Sequence, residues 1–231
     1  MRVMLWIVAG ALMATVGAAP VSAEDDVTSD DYAKLARGIF LGPAPAPKLD
    51  KGFEPFIDLY VCPKIEVSNR PPEGPQGKVA TYHPRVLVKD AVAVAAMPTT
   101  GSCLTSGFGP RGGKQHKGVD YQGRPAPMVV AAADGVVLEA LYRKDYGNMV
   151  LLDHGEGVYT RYAHLEYFSK GVQAGDDVRF GQDLGKMGQT SAYPVALHLH
   201  YEILTGDYDG PKKSFGLTAV DPLSLPPAPN E

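Results

Sequence analysis

A compact antiparallel all-β fold is predicted for the second part of this 231-residue chain, and three observations predict it. From Ala95 onward, short apolar runs are punctuated by turn signals such as Asp134-Gly135 and Gly155-Glu156-Gly157, the spacing of sheets and not of helical bundles. In GVQAGDDVRFGQDLGKMG, residues 171–188, glycines recur with single apolar anchors between them. That texture suits tight loops and short strands wrapped around a barrel-like core. Near the C-terminus VALHLHYEI, residues 195–203, alternates with period two: His198, His200 and Glu202 share one face, Leu199, Tyr201 and Ile203 the other.

The elements follow in chain order. MRVMLWIVAGALMATVGAAPVSA opens with Arg2, continues through an uncharged, largely apolar run and ends in the small residues Val21-Ser22-Ala23. This is the layout of a secretory signal peptide, residues 1–23, cut after Ala23. An uncleaved anchor is the rival reading, since the run approaches the roughly 20 residues that span a bilayer; Pro20 and the small residues favour cleavage. No cysteine follows directly, so a lipid anchor is not expected. No later apolar run is long enough to span a membrane, and no stable membrane insertion is expected after cleavage. The expected location is the periplasm or, more broadly, the cell envelope or the exterior.

Residues 24–94 read as an N-terminal extension. Within it, 28–42 carries helical periodicity at Tyr32, Leu35, Ala36, Ile39 and Phe40, with Ser29 or Asp30 as cap and Gly42 as stop. GPAPAPKLDKG and NRPPEGPQGK are proline-rich connectors that fit neither sheet interiors nor long helices. FIDLYVC between them reads as one short strand. In residues 95–231, strands are expected at Pro127–Ala132, Gly135–Tyr142, Asn148–Asp153 and Val158–His164.

A net charge of −4 gives no reason to expect a nucleic-acid surface. Cys62 and Cys103 are the two cysteines, and in an exported protein such a pair reads as a disulfide, with two separate buried thiols as the alternative. A loop of that length would stabilise the fold by about 4 kcal/mol in the chain-entropy model.

Five residues form a chemical constellation. His116 and Asp120 stand four apart in SGFGPRGGKQHKGVD, where Gly118 and Val119 argue for an extended segment. His164 ends a predicted strand in TRYAHL, and His198 and His200 follow. Two imidazoles and a carboxylate, with one position left open, are what a catalytic zinc requires. Such an ion lowers the pKa of its bound water and polarises a carbonyl, while further histidines can orient the water and stabilise an oxyanion. The five supply three ligands and two helpers.

Taken together, SGFGPRGGKQHKGVD, VVAAADGVVLEA, YGNMVLLDHGEGVYTRYAHL, VQAGDDVRFGQDLGKMGQT and LHLHYE resemble the M23 peptidases, the lysostaphin- or LytM-type zinc endopeptidases of bacterial cell walls. The resemblance covers roughly residues 95–207 and implies the family's antiparallel β fold. It also implies that His116, Asp120 and His200 bind Zn2+, with His164 and His198 as the catalytic histidines, and that peptidoglycan is the substrate. One departure is visible. GQTSAYPVALHLHYE replaces the family's glycine-rich run, so Tyr193, Pro194 and Val195 stand where small residues are usual, and the loop is expected to narrow one side of the groove.

Other residues have plainer readings. His154 in a turn and His83 in the extension are expected to be structural or solvated, and Arg111 to fix a loop. Tyr121, Tyr146, Tyr162, Tyr193 and Tyr201 are candidates either for packing or for lining a groove. The expected function is zinc-dependent hydrolysis of peptide cross-links or stems of peptidoglycan. D,D cross-links are favoured if the host is Gram-negative, since wall-binding repeats are not seen, and glycine bridges are the alternative. Two rivals are a catalytically inactive regulator of another wall hydrolase and a non-haem iron oxygenase, whose facial triad uses the same ligand types. The extension is open to three roles: inhibitory, partner surface or spacer.

Overall fold

The computed structural model describes residues 53–229; the expected signal peptide and the helix expected over 28–42 lie outside the described residues. The strands are β1 (Arg85–Val88), β2 (Val92–Ala95), β3 (Cys103–Ser106), β4 (Gly109–Arg111), β5 (Lys114–His116), β6 (Val119–Gln122) and β7 (Met128–Val130). They continue with β8 (Gly135–Arg143), β9 (Gly147–Asp153), β10 (Val158–Phe168), β11 (Asp177–Val178), β12 (Asp183–Met187), β13 (Leu199–Thr205) and β14 (Thr218–Val220). The main sheet runs β11-β8-β9-β10-β13-β6-β3, with β12 joining β10 to β7 and β14 beside β13, while β1-β2 and β4-β5 are separate hairpins. All of these strand pairings are antiparallel, so the predicted class is the observed one.

The predicted strands over 135–142, 148–153 and 158–164 appear as β8, β9 and β10, the last running on to Phe168. The run 127–132 contracts to β7, and FIDLYVC forms isolated bridges at Tyr60 and Val61 in place of a strand. On β13, Leu199, Tyr201 and Ile203 enter the core cluster as the alternation requires. Tyr121, Tyr162 and Tyr201 are packing residues, fully buried. Their hydroxyls are satisfied by Ala96 O at 2.8 Å, the Ala132 N–H at 2.8 Å and Ala95 O at 2.9 Å, as buried polar groups require.

The described part of the extension is irregular apart from β1, β2 and a single 3-10 turn at Pro75–Gly77, yet it is not loose. Leu59, Val61, Val67, Val79, Tyr82 and Val86 share one core cluster with Leu104, Val119, Leu152 and Leu199. Each such side chain contributes about 1.5–3 kcal/mol when fully buried. Cys62 and Cys103 form the expected disulfide, with Cα atoms 4.9 Å apart.

His154 proves structural. Its Nδ1–H donates to Asp134 O at 2.7 Å, and its Nε2 lies 2.7 Å from Thr160 Oγ1. Burial pushes its pKa down to about 4 against the opposing pull of Asp134. Below the unfolded value near 6.5 the unfolded chain takes up a proton that the folded ring refuses, so stability is lost as pH falls from about 6.5 to about 4. Denaturant titrations at pH 7.5 and 4.5 should show a loss of about 2 kcal/mol from this group, after allowance for its partial exposure. A His154→Gln variant should show a correspondingly flatter pH dependence.

Candidate metal centre and active site

His116 and Asp120 belong to two strands, not one. β5 ends at His116, β6 begins at Val119, and the chain turns through Lys117-Gly118. Gly118 is required there, because a Cβ would collide with the carbonyl of Tyr201 on β13. Asp120 pairs in register with His200 across β6 and β13, which brings the second half of the site to the first.

The donor atoms converge. His116 Nε2 lies 3.1 Å from Asp120 Oδ1 and 3.1 Å from His200 Nδ1, and His200 Nδ1 lies 2.9 Å from Asp120 Oδ1. Ligands about 2.0 Å from a tetrahedral ion stand about 3.3 Å apart, so the spacing fits one small cation. All three residues are buried. The outer nitrogens explain why the lone pairs face inward. His116 Nδ1–H donates to Gly107 O at 2.7 Å, and His200 Nε2–H to Glu202 Oε1 at 2.9 Å. Each acceptor fixes the tautomer that leaves the inner nitrogen free to bind metal. The second oxygen of Asp120 accepts from Arg111 at 3.1 Å, and Arg111 is itself held by Ser106 Oγ at 2.7 Å. Arg111 thus fixes the Asp120 carboxylate as well as its own loop.

His164 and His198 stand beside this triad, their rings 4.6 Å apart. The His164 Nδ1–H donates to Thr190 O at 2.8 Å and that of His198 to Ala196 O at 2.7 Å. Both Nε2 atoms are left as acceptors. His164 adopts φ +63°, a left-handed conformation unusual for a non-glycine residue, as found at functional sites. It sits where the register of β10 slips against β9, between Tyr162 and Leu165.

The electrostatics follow from burial and close partners. Burial would raise the Asp120 pKa, but His116 and His200 hold it well below the usual carboxylate range. For His200, burial disfavours the charged ring, yet Asp120 and Glu202 push its pKa up to about 9. Burial, and then the neighbouring His198, push His164 down to about 4, and burial also lowers His198. Both rings are neutral near pH 7, the state a general base needs.

Two buried residues behind the site, Glu202 and Arg161, were not singled out from the sequence as catalytic or ligating. Glu202 is fully buried, and it bonds Arg161 at 2.6 Å and the Tyr146 hydroxyl at 2.8 Å. Arg161, also buried, lies directly opposite Glu202 in the β10–β13 register and donates to Ser214 O at 2.6 Å. The available signals were an arginine inside the apolar run VYTRYAHL and a glutamate continuing the face of His198 and His200. Tyr146 and Tyr193 line the cleft, a groove of about 910 Å³, with Tyr193 exposed at its rim. His83 is not among the groove's lining residues.

Fold and donor set together define a class: an antiparallel β domain presenting two histidines and a carboxylate that could hold a metal ion, flanked by two further imidazoles. Residues 114–212, a segment that holds all five site residues, match the model for Peptidase family M23. Among curated relatives, the DD-carboxypeptidase/endopeptidase Mpg of Neisseria meningitidis serogroup B is 42% identical over 87 residues, 38% of this chain and 19% of the relative. Peptidoglycan DD-endopeptidase ShyC of Vibrio cholerae serotype O1 is 37% identical over 91 residues, 39% of this chain and 20% of the relative. Murein hydrolase activator NlpD of Salmonella dublin is 32% identical over 107 residues, 46% and 27% respectively. The chain therefore spans less than a third of the length of each of these relatives.

Proposed function

We propose that this chain is an exported, zinc-dependent endopeptidase of peptidoglycan, with residues 95–231 as the catalytic domain and the D,D cross-link as its bond. One observation carries the proposal: four imidazoles lining one open groove are each pinned at one nitrogen. The free nitrogens of three of them lie within 4 Å of the buried Asp120 carboxylate, and the fourth, His164, stacks beside His198. The donor set fits zinc, with His116, Asp120 and His200 as ligands. Zinc so held would polarise the scissile carbonyl and acidify a water molecule.

The protein groups do the rest. His164 and His198 are neutral and anchored, so either Nε2 can take the proton of the attacking water. The ring that carries a proton can then donate to the oxyanion or to the departing amine. Arg111 keeps one oxygen of Asp120 occupied, leaving the other for the metal. The names of the Neisseria and Vibrio relatives support the D,D bond, and the disulfide supports an oxidising compartment. Among the described residues no helix is long and apolar enough to cross a membrane.

Mass spectrometry of fragments released from defined peptidoglycan tests the proposal. Monomeric stem peptides should accumulate from D,D-cross-linked dimers. Release of glycine-bridge fragments would redirect the specificity, and no release at all would sink the assignment. A second reading, a non-catalytic regulator, draws on the relative named as a hydrolase activator. The complete ligand set favours cleavage. Zinc-loaded protein that releases nothing alone yet accelerates another wall hydrolase would favour the regulator.

A further inference from the structure

The described extension meets the groove at one place. Tyr60 and Cys62 exchange backbone bonds with Leu104 on β3, at 2.8 and 2.9 Å, and Cys62 is joined by the disulfide to Cys103. Six residues on, Ser68 O accepts from the Gly107 N–H at 2.9 Å, and Asn69 Nδ2 donates to Gly109 O at 2.9 Å. Between these fixed points Val67 turns into the core, while Ile65, Glu66 and Ser68 line the groove. The other flank is formed by the loop ahead of β13, with Tyr193, Val195 and Leu197. In the sheet order β13-β6-β3 the two flanks enclose β6, the strand that carries Asp120.

The attachment reaches the metal ligands. Gly107 donates to Ser68 and accepts from His116 Nδ1. A Cβ at Gly107 would collide with the carbonyl of Asn69. The sequence GFG thus serves close apposition of the extension as well as orientation of the ligand.

We propose that Val61–Arg70 is a specificity-determining wall of the groove, in which Ile65 packs on an aliphatic side chain of the bound peptide and Glu66 receives a free ammonium group. This rests on the endopeptidase reading and deepens it: the preferred substrate is a peptide with an unblocked side-chain amine, as an uncapped diamino acid provides. Ile65 is an apolar residue left 38% exposed at the groove edge. The groove is also lined by the basic Arg111, Lys114 and Lys117 and by the acidic Asp120, Asp145 and Glu202. Asp120 and Glu202 are buried and already paired, which leaves Glu66 and Asp145 as the exposed carboxylates open to an ammonium group.

The test uses two synthetic cross-linked stem peptides that differ only in whether the side-chain amine is free or acetylated. Their binding to the chelated full chain is measured by calorimetry, and their cleavage by the zinc-loaded chain is measured separately. Wild type should bind the free amine about fivefold more tightly, the scale of one partly exposed charge pair. Glu66→Lys should abolish or reverse that preference, with zinc stoichiometry and melting temperature unchanged because the residue is exposed. Ile65→Ser should weaken both peptides alike. Cys62→Ser/Cys103→Ser should blunt the preference while retaining zinc. Equal affinities in wild type, or a preference that survives Glu66→Lys, overturn the wall. Peptides bound with the expected preference but not cut overturn the endopeptidase reading and leave the wall standing.

Discussion

Chelation of the purified protein is expected to abolish cleavage of peptidoglycan, and zinc to restore it. Substitution then separates two classes among the five residues. His116→Ala, Asp120→Ala and His200→Ala each remove one of three donors that lie within 4.8 Å of one another. They should lose both metal and activity. A metal supplies several kcal/mol of charge stabilisation, and at 1.36 kcal/mol per tenfold this amounts to about a thousandfold in rate or more. His164→Ala and His198→Ala should keep one zinc per chain and lose about 10²–10⁴-fold, the usual worth of an acid or base. The rings are close enough to the triad for the contrast to be informative: His198 Nε2 is 3.8 Å from Asp120 Oδ1. Zinc content by elemental analysis beside the rate decides the matter. An active ligand variant, or identical metal loss in all five, would contradict the division.

The second large effect is expected in the buried pair behind His200. Arg161 and Glu202 are almost completely sequestered, 1% and 0% exposed. Their mutual bond offsets a heavy desolvation cost only while both are present. Arg161→Met strands the Glu202 charge and should cost about 3–5 kcal/mol, a fall in melting temperature on the order of 10 °C for a domain of this size. Arg161→Met/Glu202→Met removes both charges and should recover most of that stability. It should not recover the metal site, because His200 Nε2–H then lacks its acceptor; zinc affinity should fall about 10–100-fold. Thermal melts beside competition titrations with a zinc indicator read the two effects separately. A double variant with full zinc affinity would show that Glu202 serves only the fold.

The site was legible where chemistry depends on short spacing. HxxxD marks two candidate ligands on the adjoining strands β5 and β6, HxH sets a candidate ligand beside a helper at the start of β13, and period-two alternation alone assigns Leu199 to the core and His200 to the opposite face. Turn residues likewise marked both ends of β8 and β9 and the start of β10. What lay beyond reach depends on contacts between distant strands. Arg161 meets Glu202 only because β10 pairs with β13 in one register, and no local pattern states that register. The packing of residues 53–84 was hidden for a different reason. Prolines and single bridges such as Val61–Leu104 and Ser68–Ser106 leave no periodic signal, so a segment whose apolar residues enter the core read as an extension outside the compact domain. His83 and His154 show the converse: histidine content by itself did not mark the centre, whereas position on converging strands did.

The acceptor of His116 Nδ1 is Gly107, and the arginine that holds Asp120 is fixed by Ser106. Both lie upstream of residue 114, where the recognisable family segment starts. The unit that inherits sequence likeness and the unit that works are therefore not the same length of polypeptide. A fragment trimmed to the shared segment would retain every ligand and surrender what aims the first of them. Recombining such domains between wall proteins should succeed only when the crossover falls before the disulfide-tethered strap, so that the strap and the ligand loop travel as one piece.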